Sequence, residues 1–269
     1  MSEYRVKPAK SLAGQPVVNI ERGNNPVLKY VGFEVMRLEA GETFSRLSGA
    51  DEICVIILEG KADFYSGDLQ FSGLGRRQSV HERVPTDSVY VPAGQPLTIT
   101  AQSKAEIALC KALHLGEHQE IRLLPAEDVE VLERGEGTNK RYIHNIMMAN
   151  ASADSLLITE VYTPAGNWSS YPPHKHDTDD LPAESFLEET YYHRINPPQG
   201  YALQRIYTDD RSIDETIAAE DGDTVMVPKG YHPVGAPHGY DLYYLNVMAG
   251  PKREWRFRND PAHEWMLEE

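Results

Sequence analysis

Two histidines lie one residue apart in the stretch PPHKHD, and other groups that can bind a metal follow them in order. His174 and His176 come first, then the carboxylates Glu188 and Glu189, and then His232 in the stretch VPKGYH. Alternate residues of a strand face the same side, so the first two imidazoles can enter one cavity that a later carboxylate and a third imidazole would complete. The pattern predicts a site for one divalent metal ion, and its mixed N/O ligands suit Zn²⁺, Mn²⁺, Fe²⁺ or Ni²⁺.

The H-x-H pair alone is weak evidence for a metal site. Its loop, HKHDTDDLPAESF, is polar throughout, and histidines are common in such loops. The ordered carboxylates and the later P-x-G-x-H stretch strengthen the case because several ligand types recur in sequence. Three further histidines, His81, His114 and His118, have no second ligand type at a useful spacing, which favours surface or packing roles for them.

The elements that must position these groups are short strands. Apolar runs such as DEICVIILEG, DSVYVPAGQP and DTVMVPKG are brief and end in turn residues, and the chain contains 18 prolines and 20 glycines. This pattern is typical of β-strands with tight connections and predicts an all-β protein. Helical signal is confined to pieces such as LPAEDVEVLERG (124–135), where Pro125 suits a helix start and Gly135 a helix end.

An internal similarity divides the chain into two halves. The stretch TDSVYVPAG (86–94) resembles GDTVMVPKG (222–230), and an acidic residue opens a strand upstream of each. The separations from acid to proline nearly agree, at 40 positions for Glu52 to Pro92 and 39 for Glu189 to Pro228. This predicts two copies of one all-β unit. Residues 41–94 contain no matching ligands, so the first copy is expected to keep the strands and to lack the chemistry.

Composition excludes several classes of partner. With 26 Lys and Arg against 41 Asp and Glu, the formal charge is −15, which repels nucleic acid and anionic membrane surfaces. The longest aliphatic run, ICVIIL (53–58), is too short to span a membrane, and the N-terminal stretch lacks the apolar core of a signal peptide. A cytoplasmic protein is therefore expected, with Cys54 and Cys110 as buried strand thiols. The oligomeric state, including a homo-oligomer, is left open.

The order G…H-x-H…E…G followed by G-x₅-P-x-G…H resembles the two metal motifs of cupin barrels. The stretches YPPHKHD, EETYYHRINPPQGYALQRIYTDDRSIDET, VPKGYHPV and YYLNVMAGP are similar to the 5-deoxy-glucuronate isomerases of bacterial inositol catabolism, and the resemblance covers essentially the whole chain. It implies a double cupin, which is two small antiparallel β-barrels in tandem. The domains implied are a degenerate barrel over 1–120, a short linker with a helix over 121–140, and a metal-binding barrel over 141–269.

The cupin pattern implies three imidazoles and one carboxylate as metal ligands, namely His174, His176, His232 and Glu189. The interval from His176 to Glu189 is longer than is usual in cupins, so Glu188 and Glu184 remain alternatives for the carboxylate. Glu189 is preferred because its distance to Asn196, the predicted strand end, matches the cupin interval from ligand to glycine. His193 has the strand parity of Glu189 and is expected to face the same cavity.

The resemblance implies conversion of 5-deoxy-D-glucuronate, a small anionic sugar acid, to 5-dehydro-2-deoxy-D-gluconate. This aldose-ketose isomerisation moves a proton between adjacent carbons through an enediol, and a divalent metal would polarise the oxygens involved. Residues that adjoin the motif strands are candidates for two roles, binding the substrate carboxylate and acid/base chemistry. The cations are Arg205, Lys229 and Arg194, and the acid/base candidates are Glu188, Tyr231 and Tyr244.

Two other functions fit the same sequence pattern. A metal-dependent cupin dioxygenase would use similar ligands with iron and oxygen, and a non-catalytic sugar-binding or storage cupin would bind without turnover. The ordered ligands in the second half count against a storage role, because storage needs no such set. The stretch REWRFRNDPAHEW (253–265) is either a cover for the barrel or a C-terminal packing segment.

Overall fold

The computed structural model describes residues 2–267, and their regular secondary structure is almost entirely strand, which confirms the predicted all-β class. The short apolar runs form the strands because alternate side chains enter a core while the turns between them hold Gly and Pro. No helix within the described range 2–267 is both long and apolar enough to cross a bilayer. The predicted domain limits at positions 1 and 269 lie outside the described residues.

The first half of the chain builds one barrel from two facing sheets. A six-stranded sheet has the order β11-β8-β5-β10-β3-β2, and a four-stranded sheet has the order β4-β9-β6-β7. The strands of this half are β1 (Arg5–Val6), β2 (Val18–Ile20), β3 (Gly32–Leu38), β4 (Thr43–Leu47), β5 (Asp51–Glu59), β6 (Ala62–Ser66), β7 (Leu69–Leu74), β8 (Ser88–Val91), β9 (Pro96–Ala101), β10 (Ala105–Leu113) and β11 (Arg122–Leu124).

The second half builds an equivalent barrel. Its strands are β12 (Glu130–Arg134), β13 (Arg141–Met147), β14 (Leu157–Thr163), β15 (Trp168–Ser169), β16 (His174–Lys175), β17 (Asp177–Asp180), β18 (Glu184–Phe186), β19 (Glu188–Asn196), β20 (Tyr201–Tyr207), β21 (Asp214–Glu220), β22 (Thr224–Val227), β23 (Val234–Gly235), β24 (Asp241–Ala249) and β25 (Arg258–Asn259). A seven-stranded sheet, β1-β22-β19-β24-β14-β13-β12, faces the four-stranded sheet β15-β23-β20-β21. The 3₁₀ turns of the chain are Val80–Glu82, Ala126–Asp128, Gly137–Asn139 and Pro261–Leu267.

The helix predicted over 124–135 is wrong. Only a short 3₁₀ turn, Ala126–Asp128, forms there, and the following residues become β12, which pairs with β13. Pairing with a neighbouring strand outweighs the weak local helical signal. The predicted domain limits shift as well, because β11 extends the first barrel beyond residue 120 and β12 begins the second before 141. In addition, β1 crosses over and pairs with β22 of the second barrel.

Three large apolar clusters, with a smaller fourth around Leu187, pack the described residues together. One fills the first barrel around Ile53, and another fills the second barrel around Tyr191. The third lies between the barrels and joins residues such as Cys54 of the first to Tyr192 of the second. Cys54 and Cys110 are buried and unpaired, as predicted. Through this shared cluster the first barrel covers one face of the second.

The register of the strands corrects the predicted equivalence between Glu52 and Glu189. Ile53 pairs with the residue before the proline of the first repeat, and Glu189 pairs with the residue before the proline of the second. Ile53 is therefore the counterpart of Glu189, and Glu52 is the counterpart of Glu188. The first barrel places a buried isoleucine where the second places a carboxylate.

Glu52 and Glu188 each bind backbone of the opposite half. Both oxygens of Glu52 accept hydrogen bonds: Oε1 accepts the N–H groups of Ser155 and Leu156 at 2.7 Å each, and Oε2 accepts the N–H of Asp154 at 2.8 Å and the Tyr90 hydroxyl at 2.7 Å. Glu188 uses one oxygen, Oε2, for the N–H groups of Lys29 and Tyr30 at 2.7 Å each. Residues 154–156 lead into β14, and residues 29–30 lead into β3. These are equivalent strands of the two barrels. The two carboxylates therefore form a reciprocal clamp between the halves.

The clamp predicts different costs for two isosteric substitutions. Glu52→Gln places an amide donor against backbone N–H groups whichever way it is oriented, so we expect the free energy of unfolding to fall by about 2 kcal/mol. Glu188→Gln keeps one carbonyl oxygen for both of its N–H partners and should lose less than half as much. Urea unfolding of both variants, with the exposed Asp68→Asn as control, measures this. Equal losses for the two variants would contradict the clamp geometry.

Candidate metal centre

Four predicted ligands meet at the mouth of the second barrel. His174 lies in β16, and His176 follows directly after that strand. His232 lies in the turn between β22 and β23, and Glu189 is the second residue of β19. The ring nitrogens of the three histidines lie within 4.8 Å of one another. Glu189 Oε1 lies 2.5 Å from His176 Nε2, and Glu189 Oε2 lies 3.6 Å from His232 Nε2.

Backbone carbonyls orient two of the imidazoles. His176 Nδ1 lies 3.0 Å from the Leu187 carbonyl oxygen, and His232 Nδ1 lies 2.8 Å from that of Gly230. Each Nδ1–H therefore donates to a carbonyl, which leaves Nε2 as an acceptor that points at the other ligands. Among residues 2–267, no hydrogen-bond donor serves either buried Nε2 atom, and the Glu189 carboxylate beside them is an acceptor as well. Buried acceptors that converge without donors are what a divalent ion would satisfy, so the residues present fit a metal.

The charges of the four groups also suit a cation. Burial, with the neighbouring His232 and His176, lowers the pKa of His174 well below its usual value. Burial lowers the pKa of His232 despite the opposing Glu189, whereas Glu189 outweighs burial at His176 and raises its pKa. Burial opposes ionisation of Glu189, but His176 and His232 hold its pKa far below the ordinary range. The set therefore offers one anionic carboxylate together with imidazoles.

Two of the four ligands, His174 and Glu189, line a cavity of about 1010 Å³ in the second barrel. Its back wall is the inner face of the seven-stranded sheet, which contributes Tyr191, Tyr244 and Asn246. The C-terminal segment covers the mouth, since β25 pairs with β16 and the Phe257 ring lies 4.8 Å from the His174 ring. Of the two predictions for residues 253–265, the cover fits this arrangement.

Only one of the three predicted acid/base residues faces the cavity. Tyr244 lines it. Glu188 points to the other side of β19 and belongs to the clamp, because neighbouring strand residues face opposite sides. The Tyr231 hydroxyl donates to Asp209 at 3.0 Å, on the outside of the site. Tyr191, which sequence reasoning did not assign a role, lines the cavity and has the strand parity of Glu189.

None of the three predicted cations lines the cavity. Arg205 pairs with Asp214 at the surface, and Lys229 is exposed. Arg194 faces the first barrel and binds Glu106 at 2.6 Å. Glu184 accepts the backbone N–H of Asp177 and does not line the cavity. His193 faces the barrel interior, where it bonds to Gln204 at 2.9 Å, but it does not line the cavity as predicted.

Comparison with known proteins identifies the family. The KduI/IolB family model matches residues 4–266. A Bacillus velezensis protein named 5-deoxy-glucuronate isomerase is 54% identical over 257 residues, which cover 95% of this chain and 94% of the relative. This chain belongs to the KduI/IolB family. Within the family, an IolB-like protein from Salmonella typhimurium LT2 has a solved structure that matches with a TM-score of 0.94 at 46% identity, over 98% of this chain and 99% of the other.

A more distant likeness concerns the fold of this KduI/IolB family member alone. An oxalate decarboxylase from Lactobacillus farciminis matches with a TM-score of 0.67 at 13% identity, over 100% of this chain and 91% of that one. Oxalate decarboxylases of this type are cupins. Together with the two equivalent barrels, this confirms the double-cupin fold predicted from the sequence motifs.

A second cluster of metal-type side chains in this family member has a different explanation. Glu117, His118 and Asp154 lie close enough together to suggest a metal site. However, Asp154 already accepts the backbone N–H groups of residues 115–118 and lies 2.7 Å from His118 Nδ1. Its oxygens are satisfied by the loop that it organises. This agrees with the packing role predicted for His118.

The two clusters predict opposite results for metal content. Wild-type protein should carry about one divalent ion per chain, and His232→Ala should lose most of it because one of four ligands is gone. His118→Ala should retain the ion, since its partner Asp154 serves the loop. Inductively coupled plasma mass spectrometry of the purified, dialysed proteins measures the content. Full metal content in His232→Ala would refute this ligand set.

Proposed function

We propose that this chain is a metal-dependent isomerase that converts 5-deoxy-D-glucuronate to 5-dehydro-2-deoxy-D-gluconate in the degradation of myo-inositol. The observation that carries the proposal is a His₃-carboxylate set at the mouth of the second barrel, in a chain about half identical to a named isomerase across nearly its whole length. The cytoplasmic location stays a prediction, and the oligomeric state stays open.

The metal would be held by His174, His176, His232 and Glu189, and these ligands do not select among Zn²⁺, Mn²⁺, Fe²⁺ and Ni²⁺. When bound, a divalent ion supplies a Lewis acid that polarises a carbonyl and its neighbouring hydroxyl. The chain supplies the rest. The covering segment with Trp255 and Phe257 limits access of water to the cavity, which strengthens every electrostatic interaction with the substrate.

Two buried tyrosines supply hydroxyl groups beside the metal ligands. Burial and the nearby Glu189 raise the pKa of Tyr191 well above its usual value. Burial also raises the pKa of Tyr244, although Ser169, Ser170 and Arg141 oppose this. Both hydroxyls are therefore protonated at neutral pH and act as hydrogen-bond donors. We assign Tyr244 the role of donating a hydrogen bond to the substrate oxygen that becomes negatively charged during isomerisation.

An isomerase also accounts for the buried ligand set of the second barrel better than a storage protein or a dioxygenase does. A storage protein gains nothing from buried imidazole nitrogens that lack partners, because each costs free energy without a ligand. A dioxygenase would use the same ligands but needs iron and oxygen. Isomerisation needs neither, because no electrons leave the substrate.

The proposal predicts turnover without any redox partner. Purified protein should isomerise 5-deoxy-glucuronate under anaerobic conditions without nicotinamide or flavin, and removal of the metal by a chelator should abolish turnover. Re-addition of Zn²⁺ or Mn²⁺ should restore it. Nuclear magnetic resonance of the sugar follows the conversion directly. Undiminished activity in protein shown to be free of metal would overturn the mechanism, and a requirement for oxygen would favour the dioxygenase.

The hydrogen bond assigned to Tyr244 predicts a specific kinetic effect. Tyr244→Phe removes one hydroxyl from the cavity, so we expect kcat to fall roughly 100-fold with little change in KM. Tyr231→Phe is the matched control, because its hydroxyl binds Asp209 outside the cavity. Steady-state kinetics on both variants, with equal metal content verified, makes the comparison. Similar kcat values for the two variants would show that Tyr244 is not the donor.

A further inference from the structure

An anionic sugar acid requires a cation in the cavity, and four arginines other than the predicted ones line it. Two of these are committed elsewhere. Arg253 donates to the backbone carbonyls of Met148, Ala151 and Leu156, and Arg256 pairs with Glu254 at 2.8 Å. The remaining two are Arg134 of β12 and Arg141 of β13.

Arg134 and Arg141 lie directly opposite each other on neighbouring strands. Residues paired in this way face the same side of the sheet, and like charges at such positions destabilise the pair. Over residues 2–267, no carboxylate oxygen forms a salt bridge with either guanidinium. Two carboxylates of the cavity wall on the same strand, β12, have other partners, since Glu133 binds Lys140 at 2.6 Å and Glu130 accepts from Asn145 at 2.6 Å.

The local backbone is built to hold Arg141 in place. Its Nη1 donates to the Asn139 carbonyl at 2.9 Å and to Asn139 Oδ1 at 3.0 Å. Gly135, with φ of +75°, makes room for this contact, because a Cβ there would collide with the Asn139 carbonyl and lie 2.8 Å from Nη1. Within the described chain, Nε and Nη2 of Arg141 donate to no other residue. The guanidinium is therefore fixed on one side and free on the other.

Among the residues that the structure describes, no carboxylate compensates the charge of Arg141. Burial lowers its pKa, the Tyr244 hydroxyl opposes this, and Arg134 lowers the pKa further. An arginine kept half-buried beside another arginine, in a chain with 41 acidic residues, is a feature that stability alone does not explain. A bound anion would remove both the repulsion and the unpaired donors.

We propose that Arg141, assisted by Arg134, binds the carboxylate of the substrate at the end of the cavity opposite the three imidazoles. This inference rests on the proposed function for the identity of the anion. Strands β24 and β14 separate β13 from β19, and Arg141 lies level with Ile195, six residues along β19 from Glu189. The side chains of Arg141 and Glu189 therefore enter one cavity from opposite ends. A planar guanidinium matches a carboxylate with two parallel hydrogen bonds, which fixes the sugar's orientation along the wall.

The test compares two substrates on metal-loaded enzyme. One is 5-deoxy-glucuronate, and the other is the same sugar with its carboxylate replaced by a primary alcohol. Wild type should prefer the acid in kcat/KM by roughly 10- to 100-fold. Arg141→Gln should raise KM for the acid by a similar factor, change kcat little, and leave the alcohol unaffected. Arg141→Lys should show a smaller rise, and Arg134→Gln should raise KM for the acid as well.

Arg205→Gln is the matched control, because that arginine binds Asp214 outside the cavity, and it should leave KM unchanged. Unaltered KM for the acid in a folded Arg141→Gln enzyme would overturn the inference while leaving the isomerase assignment intact. If that variant does not fold, the wild-type comparison and the exposed Arg134→Gln still decide. Equal use of acid and alcohol by wild type would then overturn it. Absence of turnover of either sugar by wild type would overturn the proposed function itself.

Discussion

The structure depends on the two-residue period of β19, a strand buried on both faces. Glu189, Tyr191 and His193 face the barrel interior, whereas Glu188 and Tyr192 face the other barrel. A shift of one residue would exchange these sets, placing the clamp carboxylate in the cavity and the metal ligand in an apolar interface. The metal centre and the contact between the barrels are therefore specified by one register. Neither can change without the other.

The first barrel serves the second through this shared face. Arg77 of the first half and Glu160 of β14 are both fully buried, and their side chains bind each other at 2.7 Å. Burial opposes ionisation of Glu160, but Arg77 and His144 lower its pKa to about 2. A buried pair of this kind adds little net stability, but removing one partner leaves an uncompensated charge. Such pairs favour one way of apposing two barrels that apolar surface alone would hold less specifically.

Sequence reasoning found the ligands because their types and order are local features. It misaligned the repeat by one residue, although the sequence contained the signal: Glu188 to Pro228 is 40 positions, equal to Glu52 to Pro92. Strand parity would also have excluded Arg194, which follows the inward-facing His193. The sequence alone could not predict that Arg134 and Arg141 line the cavity, for another reason. Arg134 lies in a segment whose local pattern favours a helix, and only its pairing with β13 brings it opposite Arg141.

The net charge of −15 and the cationic end of the cavity act at different ranges. Screening at physiological ionic strength limits the average field to about 8 Å beyond the surface, so repulsion of an anionic sugar weakens over that distance. Inside the cavity, water is largely replaced by protein, and a guanidinium a few ångströms away dominates the potential. Entry then costs little, while a correctly placed carboxylate gains two directed hydrogen bonds. An anion whose charge lies elsewhere meets Glu189 or the other glutamates of the cavity wall, Glu130, Glu133 and Glu254. The same acidic chain that admits a sugar acid therefore disfavours anions of the wrong length.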